Sequence, residues 1–119
     1  MGVEDILRQG EKALTGLNAE KLTDLYAPEF LLEDTSSGKR ITTKSELREY
    51  YDRLFSLPGV SFTDVSFFSL GDRAAGHWTW GGKTQSGKQF SIRGASLFIL
   101  GNDGIREEIL YYDPQAATE

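Results

Sequence analysis

The sequence predicts an α+β fold, a cone in which three N-terminal helices pack in the concave face of a strongly curved, mostly antiparallel sheet. Apolar residues recur at helical spacing up to about residue 56 and at every second position from Val60 onward. Between Val60 and Leu70 the alternation changes parity, which is typical of β-bulges and a bent sheet. A ligand pocket is therefore expected inside the cone.

Three helices are predicted from apolar spacing and capping residues. Residues 3–15 carry one apolar stripe. Asn18 is a favourable N-cap for a short second helix through Leu25. The sequence TKSE at 43–46 fits a capping box, so the third helix is expected over residues 44–56.

Strands are predicted where apolar alternation lies between turn signals. Phe30–Asp34 is expected to be a short strand, and Lys39–Thr42 a brief extended segment. The remainder of the chain forms four strands in a meander. Three turn signals separate these strands, at residues 71–72, 81–87 and 102–104.

Composition restricts the classes of function. A chain of 119 residues is expected to form one domain over residues 1–119, with a core that needs no disulfide or metal. The absence of cysteine excludes thiol catalysis and cysteine-bound zinc, and with His77 as the one histidine neither a metal nor a cofactor site is expected. The net charge of −5 disfavours nucleic acid and anionic membranes. Without an apolar leader or membrane-length segment, a cytoplasmic location is expected.

The last third of the chain, residues 89–114, is apolar on both faces of its strands, so both faces need cover. The helices cover one face, and a second copy of the chain is expected on the other. Trp78 and Trp80 alternate with His77 and Thr79, which places the two indoles on the convex face as interface aromatics. The residues expected at this homodimer interface are Trp78, Trp80, Arg93, Leu97 and Ile99.

Three segments carry a resemblance to a known family. They are LYAPEFLLEDTSSG at 25–38, SELREYYDRLFSLPGV at 45–60, and RGASLF, DGI and YYDP within 93–114. Together they resemble the nuclear transport factor 2-like superfamily, which includes ketosteroid isomerase, SnoaL-like polyketide cyclases and limonene-epoxide hydrolase. The resemblance implies the cone fold and a dimer through the convex face. It implies no single activity, because this fold hosts enzymes and non-catalytic binders.

Asp34 is the leading catalytic candidate, because the resemblance aligns it with the proton-shuttling aspartate of ketosteroid isomerase. A carboxylate at the mouth of an apolar pocket loses hydration and becomes a usable base. The alternative is that Asp34 caps its own turn through the amides of Ser36 or Ser37. Tyr26 and Tyr51 match two supporting tyrosines of the isomerase, although both also suit an amphipathic helix edge.

The other catalytic groups of the family are missing. The isomerase's first-helix tyrosine falls on Gly10, and its protonated aspartate falls on Ser96. The last-strand aspartate of the cyclases falls on Leu110. The Arg-x-Asp pair of the epoxide hydrolase falls on His77 and Thr79. The resemblance therefore leaves none of these three mechanisms complete.

His77 is the second, tentative catalytic candidate, because its parity with Thr79 is expected to place it on the concave face in line with Ser96. There it could relay a proton, or it could be a histidine hydrogen-bonded within the sheet. Glu107 and Glu108 are expected to be a solvated or interface-rim pair. The expected ligand-binding residues are Tyr26, Tyr51, Phe55, Thr79, Ser96, Phe98, Leu110 and Tyr112.

These features leave three hypotheses for function. The first is a SnoaL-like protein that binds a small apolar organic ligand in its pocket. The second is an isomerase- or cyclase-type enzyme, acting by general acid–base chemistry without a metal, with Asp34 as the base. The third is a dimeric assembly module without a ligand. A well-formed cavity favours the first two, and Asp34 facing that cavity favours the enzyme.

Overall fold

The computed structural model describes residues 2–118 and contains the three predicted helices, α1 (Val3–Thr15), α2 (Ala19–Asp24) and α3 (Lys44–Phe55). Their caps are those that the sequence predicts. The Asn18 side chain accepts a hydrogen bond from the Lys21 amide at 3.0 Å, and the Thr43 hydroxyl accepts one from the Glu46 amide at 3.2 Å. Local side-chain signals therefore set the helix starts.

Six strands and a closing 3₁₀ turn make up the rest of the described chain. They are β1 (Tyr26–Asp34), β2 (Lys39–Ile41), β3 (Ser61–Leu70), β4 (Arg73–Lys83), β5 (Gln89–Gly101) and β6 (Gly104–Tyr111), with the turn at Pro114–Ala117. β1 begins four residues before the predicted start. Its pairing with β6 is irregular between Tyr26 and Leu31, so Pro28 lies where no regular ladder requires its missing N–H.

The strands form one sheet in the order β2-β1-β6-β5-β4-β3. β1 runs parallel to β6, and every other pair is antiparallel. The predicted bulge lies in β3, between Thr63 and Ser66, where Asp64 has a φ of +51°. The α+β cone that the sequence predicts is confirmed.

The core lies between the helices and the concave face of the sheet. Its most deeply buried apolar side chains are Ile6, Leu32, Ile41 and Leu47. Between residues 2 and 118, no helix is long and apolar enough to cross a membrane. The cytoplasmic location stays a prediction.

The two faces of β4 are the reverse of those expected from the sequence. Gly76 is the residue opposite Ser96, and Trp78 is opposite Gly94, where a Cβ atom would overlap the indole ring. Trp78 therefore covers Gly94 on the concave face. Trp80 lies on the same face, and His77 lies on the convex face. Because side chains alternate, a register one residue from the expected one turns every side chain to the other face.

Candidate ligand-binding and acid–base site

A cavity of about 350 Å³ opens between the helices and the concave face of the sheet. This volume lies within the range of small-molecule sites, which are concave and largely apolar with a few polar groups. The aromatic side chains that line the cavity are Tyr26, Tyr50, Tyr51, Phe62, Phe67, Trp78, Trp80, Phe98 and Tyr112.

Glu108 is a buried charge-bearing group of this cavity. It lies on β6 with 7% of its surface exposed, and it lines the cavity. The Tyr26 hydroxyl donates to its Oε1, and the Ser96 hydroxyl donates to its Oε2 at 2.9 Å. The expectation that Glu108 is solvated or at an interface rim is wrong. Its parity with Leu110 was the signal that could have placed it inside.

Two further hydrogen bonds extend this network. The hydroxyls of Tyr26 and Tyr51 lie 2.8 Å apart, and the Trp78 indole N–H donates to the Ser96 hydroxyl at 3.0 Å. The network thus runs from α3 through β1, β6 and β5 to β4. Each of its five side chains is buried.

Burial governs the protonation of this network. Loss of hydration raises the pKa of Glu108, and the hydrogen bonds from Tyr26 and Ser96 oppose that shift. Burial, followed by the charge of Glu108, also raises the pKa values of Tyr26 and Tyr51. The two tyrosines therefore stay protonated near neutral pH, and Glu108 is the group whose charge can change.

Asp34 caps its own turn and also faces the cavity. Its Oδ1 accepts from the Ser36 amide at 2.9 Å and from the Ser36 hydroxyl at 2.6 Å, so it does cap its turn. Its Oδ2 accepts from the Tyr112 hydroxyl at 2.5 Å, and its side chain lines the cavity. Burial, followed by the bond to Asp34, raises the pKa of Tyr112 to about 12.

Asp34 and Glu108 lie on neighbouring strands and line the same cavity. Asp34 pairs with Leu110 across the parallel β1–β6 ladder, and Glu108 is two residues before Leu110. Diagonal neighbours of this kind have Cα atoms roughly 8 Å apart. An aromatic cavity with two adjacent carboxyls can both hold an apolar molecule and exchange protons with it.

Five of the eight expected ligand-binding residues line the cavity. They are Tyr26, Tyr51, Phe98, Leu110 and Tyr112. Ser96 lies behind it and holds Glu108. Phe55 stacks on Tyr51 with ring centroids 5.6 Å apart, outside the lining, and Thr79 lies on the convex face. For the five residues that line the cavity, a role in ligand binding stays a prediction.

The expected position of His77 is wrong, because it lies on the convex face. Its Nδ1 is 2.8 Å from the backbone oxygen of Asp64, and about half of its side chain is exposed. Asp64 also pairs with Arg93 at 3.0 Å. Of the five residues expected on the convex face, Trp78 and Trp80 are inside, while Arg93, Leu97 and Ile99 are on that face.

Replacing Glu108→Gln is expected to change how stability depends on pH. The raised folded-state pKa means that the folded protein holds this proton more tightly than the unfolded chain, for which the value is 4.5. The stability of wild type relative to the variant should be constant below that pH. It should then fall by up to about 1.4 kcal/mol per pH unit until the folded-state pKa is passed. Denaturant unfolding of wild type and variant at a series of pH values from roughly 3 to 9 measures this difference in unfolding free energy.

Glu29→Gln is the control, because Glu29 lies on β1 with an exposed side chain and does not line the cavity. Its pH profile should follow wild type. A flat difference between wild type and Glu108→Gln would contradict the raised pKa of Glu108.

Replacing Asp34→Asn is expected to destabilise the protein by about 0.5–2 kcal/mol at neutral pH, the range for loss of a capping side chain. The neutral amide loses the charge that strengthens the bonds from Ser36 and Tyr112. Urea unfolding at pH 7 measures the loss. Asp113→Asn, which affects an exposed cap on the Gln115 amide, should cost less. An Asp34→Asn variant as stable as wild type would rule out the capping role.

The family of the chain follows from comparison with known proteins. No curated protein matches the sequence. Among solved structures, a hypothetical protein with a ketosteroid isomerase-like fold from Catenulispora acidiphila, in complex with trimethylamine, has a TM-score of 0.82 and 20% identity, covering 98% of this chain and 91% of its own. A putative polyketide cyclase from Pseudomonas putida has a TM-score of 0.82 and 14% identity, covering 98% and 95%.

TerC co-crystallised with polyporic acid has a TM-score of 0.79 and 11% identity, covering 95% of this chain and 92% of its own. At these identities the likeness shows the fold, and it confirms the nuclear transport factor 2-like architecture. The SnoaL-like domain family matches residues 7–108. The chain therefore belongs to the SnoaL-like domain family.

Proposed function

We propose that this protein binds a small, largely apolar organic molecule that carries a hydrogen-bonding oxygen, inside the cavity of the cone. The observation that carries the proposal is a buried carboxyl, Glu108, in a largely apolar, aromatic-rich cavity of about 350 Å³. Burying such a group is costly unless it is hydrogen-bonded. A cavity that is only a gap in packing would be expected to have apolar walls without a buried carboxyl.

The open cavity also separates the three hypotheses. A collapsed core would favour an assembly module, whereas this cavity favours a ligand. Two proteins of similar fold carry small molecules, namely trimethylamine and polyporic acid. They support small-molecule binding by proteins of this fold, and the chemistry proposed here rests on the side chains of this chain.

Blocking the cavity at Gly10 tests the proposal. Gly10 lines the cavity, and a Cβ atom placed there meets only Leu25 Cδ1, at 3.9 Å, within 4 Å. Gly10→Leu should fill the space and weaken binding of 2-acetonaphthone by at least about tenfold. The indole N–H signals of Trp78 and Trp80 in NMR spectra report binding, because both rings line the cavity.

Gly10→Ala is the control, since it adds one methyl group in a helix and should keep binding. It should also stabilise the fold by about 1 kcal/mol, the usual gain from replacing a helical glycine by alanine. If 2-acetonaphthone and related bicyclic ketones leave both indole signals unchanged in wild type at millimolar concentration, the binding proposal fails.

A second candidate function is general acid–base catalysis of the isomerase or cyclase type, with Asp34 as the base. The specific observation is that Asp34 lines the cavity beside Glu108, two residues along the neighbouring strand. We propose that Glu108 replaces the acid missing at Leu110, because both residues lie on the same face of β6. A base that removes a proton next to a carbonyl needs a donor where the oxygen develops charge.

Proton exchange in D₂O tests this candidate. Wild type should accelerate hydrogen–deuterium exchange at the acidic CH₂ group of 2-tetralone, followed by NMR, above the rate in buffer alone. Asp34→Asn should lower the rate by roughly 10²-fold or more, the usual contribution of a general base. Glu33→Gln, which changes the neighbouring residue on the opposite face, should not. Equal rates for wild type and Asp34→Asn would exclude Asp34 as the base.

We further propose that the convex face pairs with a second copy of the chain. A continuous apolar row crosses four strands, formed by Phe68, Ala75, Leu97 and Ile109. Phe68 is 69% exposed and Leu97 is 47% exposed. This is an unusually apolar surface for a protein with no partner.

Charges beside this row favour a two-fold arrangement. Arg73 and Glu107 flank Ile99 from opposite sides in the adjacent row of the sheet. A two-fold axis through the apolar row would bring Arg73 of one copy toward Glu107 of the other. Self-complementary surfaces of this kind are typical of closed dimers.

Replacing Leu97→Glu is expected to dissociate this dimer, because a carboxylate would be left without water at its centre. Sedimentation equilibrium at micromolar concentration measures the mass. Ser91→Glu, on the same strand and face but near its far end, should leave the dimer intact. A monomeric wild type would contradict the proposed assembly.

A further inference from the structure

Trp78, Ser96 and Glu108 form a hydrogen-bonded chain whose direction is fixed by chemistry. The Trp78 indole N–H can only donate, and it lies 3.0 Å from the Ser96 hydroxyl oxygen. Ser96 lies 2.9 Å from Glu108 Oε2. Because Ser96 accepts from the indole, its own hydrogen is free to point at Oε2.

A proton on Oε2 would break this arrangement. Ser96 would then have to accept hydrogen bonds from both Trp78 and Glu108, and its own hydrogen would point away from both of them. Ser96 is fully buried, with 0% of its surface exposed, so no water can take that hydrogen. Leaving a buried donor unsatisfied is unfavourable. Oε2 therefore serves as an acceptor in both protonation states of Glu108.

We infer that Trp78 and Ser96 hold the ionisable proton of Glu108 on Oε1, so that this carboxyl sets the direction of the hydroxyls of Tyr26 and Tyr51. With Glu108 ionised, Tyr26 donates to Oε1 and Tyr51 donates to Tyr26. With Glu108 protonated, Oε1 donates to Tyr26 and Tyr26 donates to Tyr51. The Tyr51 hydroxyl hydrogen then no longer points at Tyr26 and can be donated to a molecule in the cavity. No covalent bond other than O–H changes in this reversal.

The consequence for the cavity deepens the proposed function and rests on it. Tyr26, Tyr51 and Glu108 all line the cavity, whereas Ser96 lies behind it. Protonation of Glu108 thus turns Tyr51 from an acceptor into a donor toward a bound molecule. The protonated form selects ligands with an acceptor oxygen, such as a ketone or quinone carbonyl.

Glu108 is the group in this network whose charge can change, because burial raises its pKa above 4.5 while the tyrosines stay protonated. The titratable side chains around it are Tyr26 on β1 and Tyr50 and Tyr51 on α3, with Asp34 two residues along the neighbouring strand. Burial raises the pKa of each of the three tyrosines. Trp78 and Ser96 are positioning residues, because they act on the ligand through Glu108.

A ¹³C NMR titration of the Glu108 carboxyl carbon tests the inference without any ligand. Ser96→Ala removes a donor that favours the ionised form, so the pKa of Glu108 should rise by about one unit. Trp78→Phe weakens the same donation and should raise it by less. Because Trp78 acts through Ser96, adding Trp78→Phe to Ser96→Ala should produce no further shift.

Trp80→Phe is the matched control. Trp80 lines the same cavity, but its indole N–H has no hydrogen-bond acceptor within residues 2–118. This variant should leave the titration of Glu108 unchanged. The inference is overturned if Trp80→Phe shifts the pKa as much as Trp78→Phe, or if the Trp78→Phe shift persists undiminished without Ser96.

Neutron diffraction of wild-type crystals in D₂O, below the measured pKa of Glu108, tests the same inference where a variant does not fold. A deuteron on Oε1 is expected, and a deuteron on Oε2 would overturn the proposal.

Binding gives a separate readout. The affinity for 2-acetonaphthone should fall as pH rises through the pKa of Glu108, while that for 2-ethylnaphthalene should not change. Absence of all binding would contradict the proposed function and leave the titration result standing. Binding of the ketone that ignores the ionisation of Glu108 would contradict the reversal of Tyr51.

Discussion

The burial of the Glu108 carboxyl is the constraint on which the rest of the site depends. A carboxyl in an apolar interior needs hydrogen bonds to both oxygens, and here they come from Tyr26 and Ser96 on two different strands. Those donors are in turn held by Tyr51 and Trp78. One buried group thus fixes the relative positions of a helix and four strands.

The same constraint explains why the cavity stays open. Its walls are aromatic side chains held edge to face, such as Phe62 against Trp78 and Trp78 against Tyr112, with ring centroids 6.1 and 5.7 Å apart. Such rings support one another without filling the space between them. Four members of the polar network belong to this wall, and the hydrogen bonds of Tyr51, Tyr26 and Glu108 tie α3 to the sheet. Almost all of the side chains that line the cavity lie on helices and strands.

Much of the fold was predictable because its signals are local. Asn18 and Thr43 cap helices with their own side chains, and the parity change near Asp64 is visible in a run of ten residues. The resemblance to the nuclear transport factor 2-like superfamily is also evident from the sequence. The contents of the site were less so. Asp34 and Tyr112 were expected in the cavity, while Glu108, Trp78 and Trp80 were not.

The missed residues share one physical cause. Alternation shows which side chains of a strand lie together, but the face that they occupy depends on register with strands distant in sequence. Large indoles suit an interface and a cavity wall equally well by composition. What decides is Gly94, whose missing Cβ leaves room for Trp78, and Gly76, which fits closely against Phe67. Glycines facing aromatic residues across a predicted sheet are therefore the observation that would have assigned the concave face.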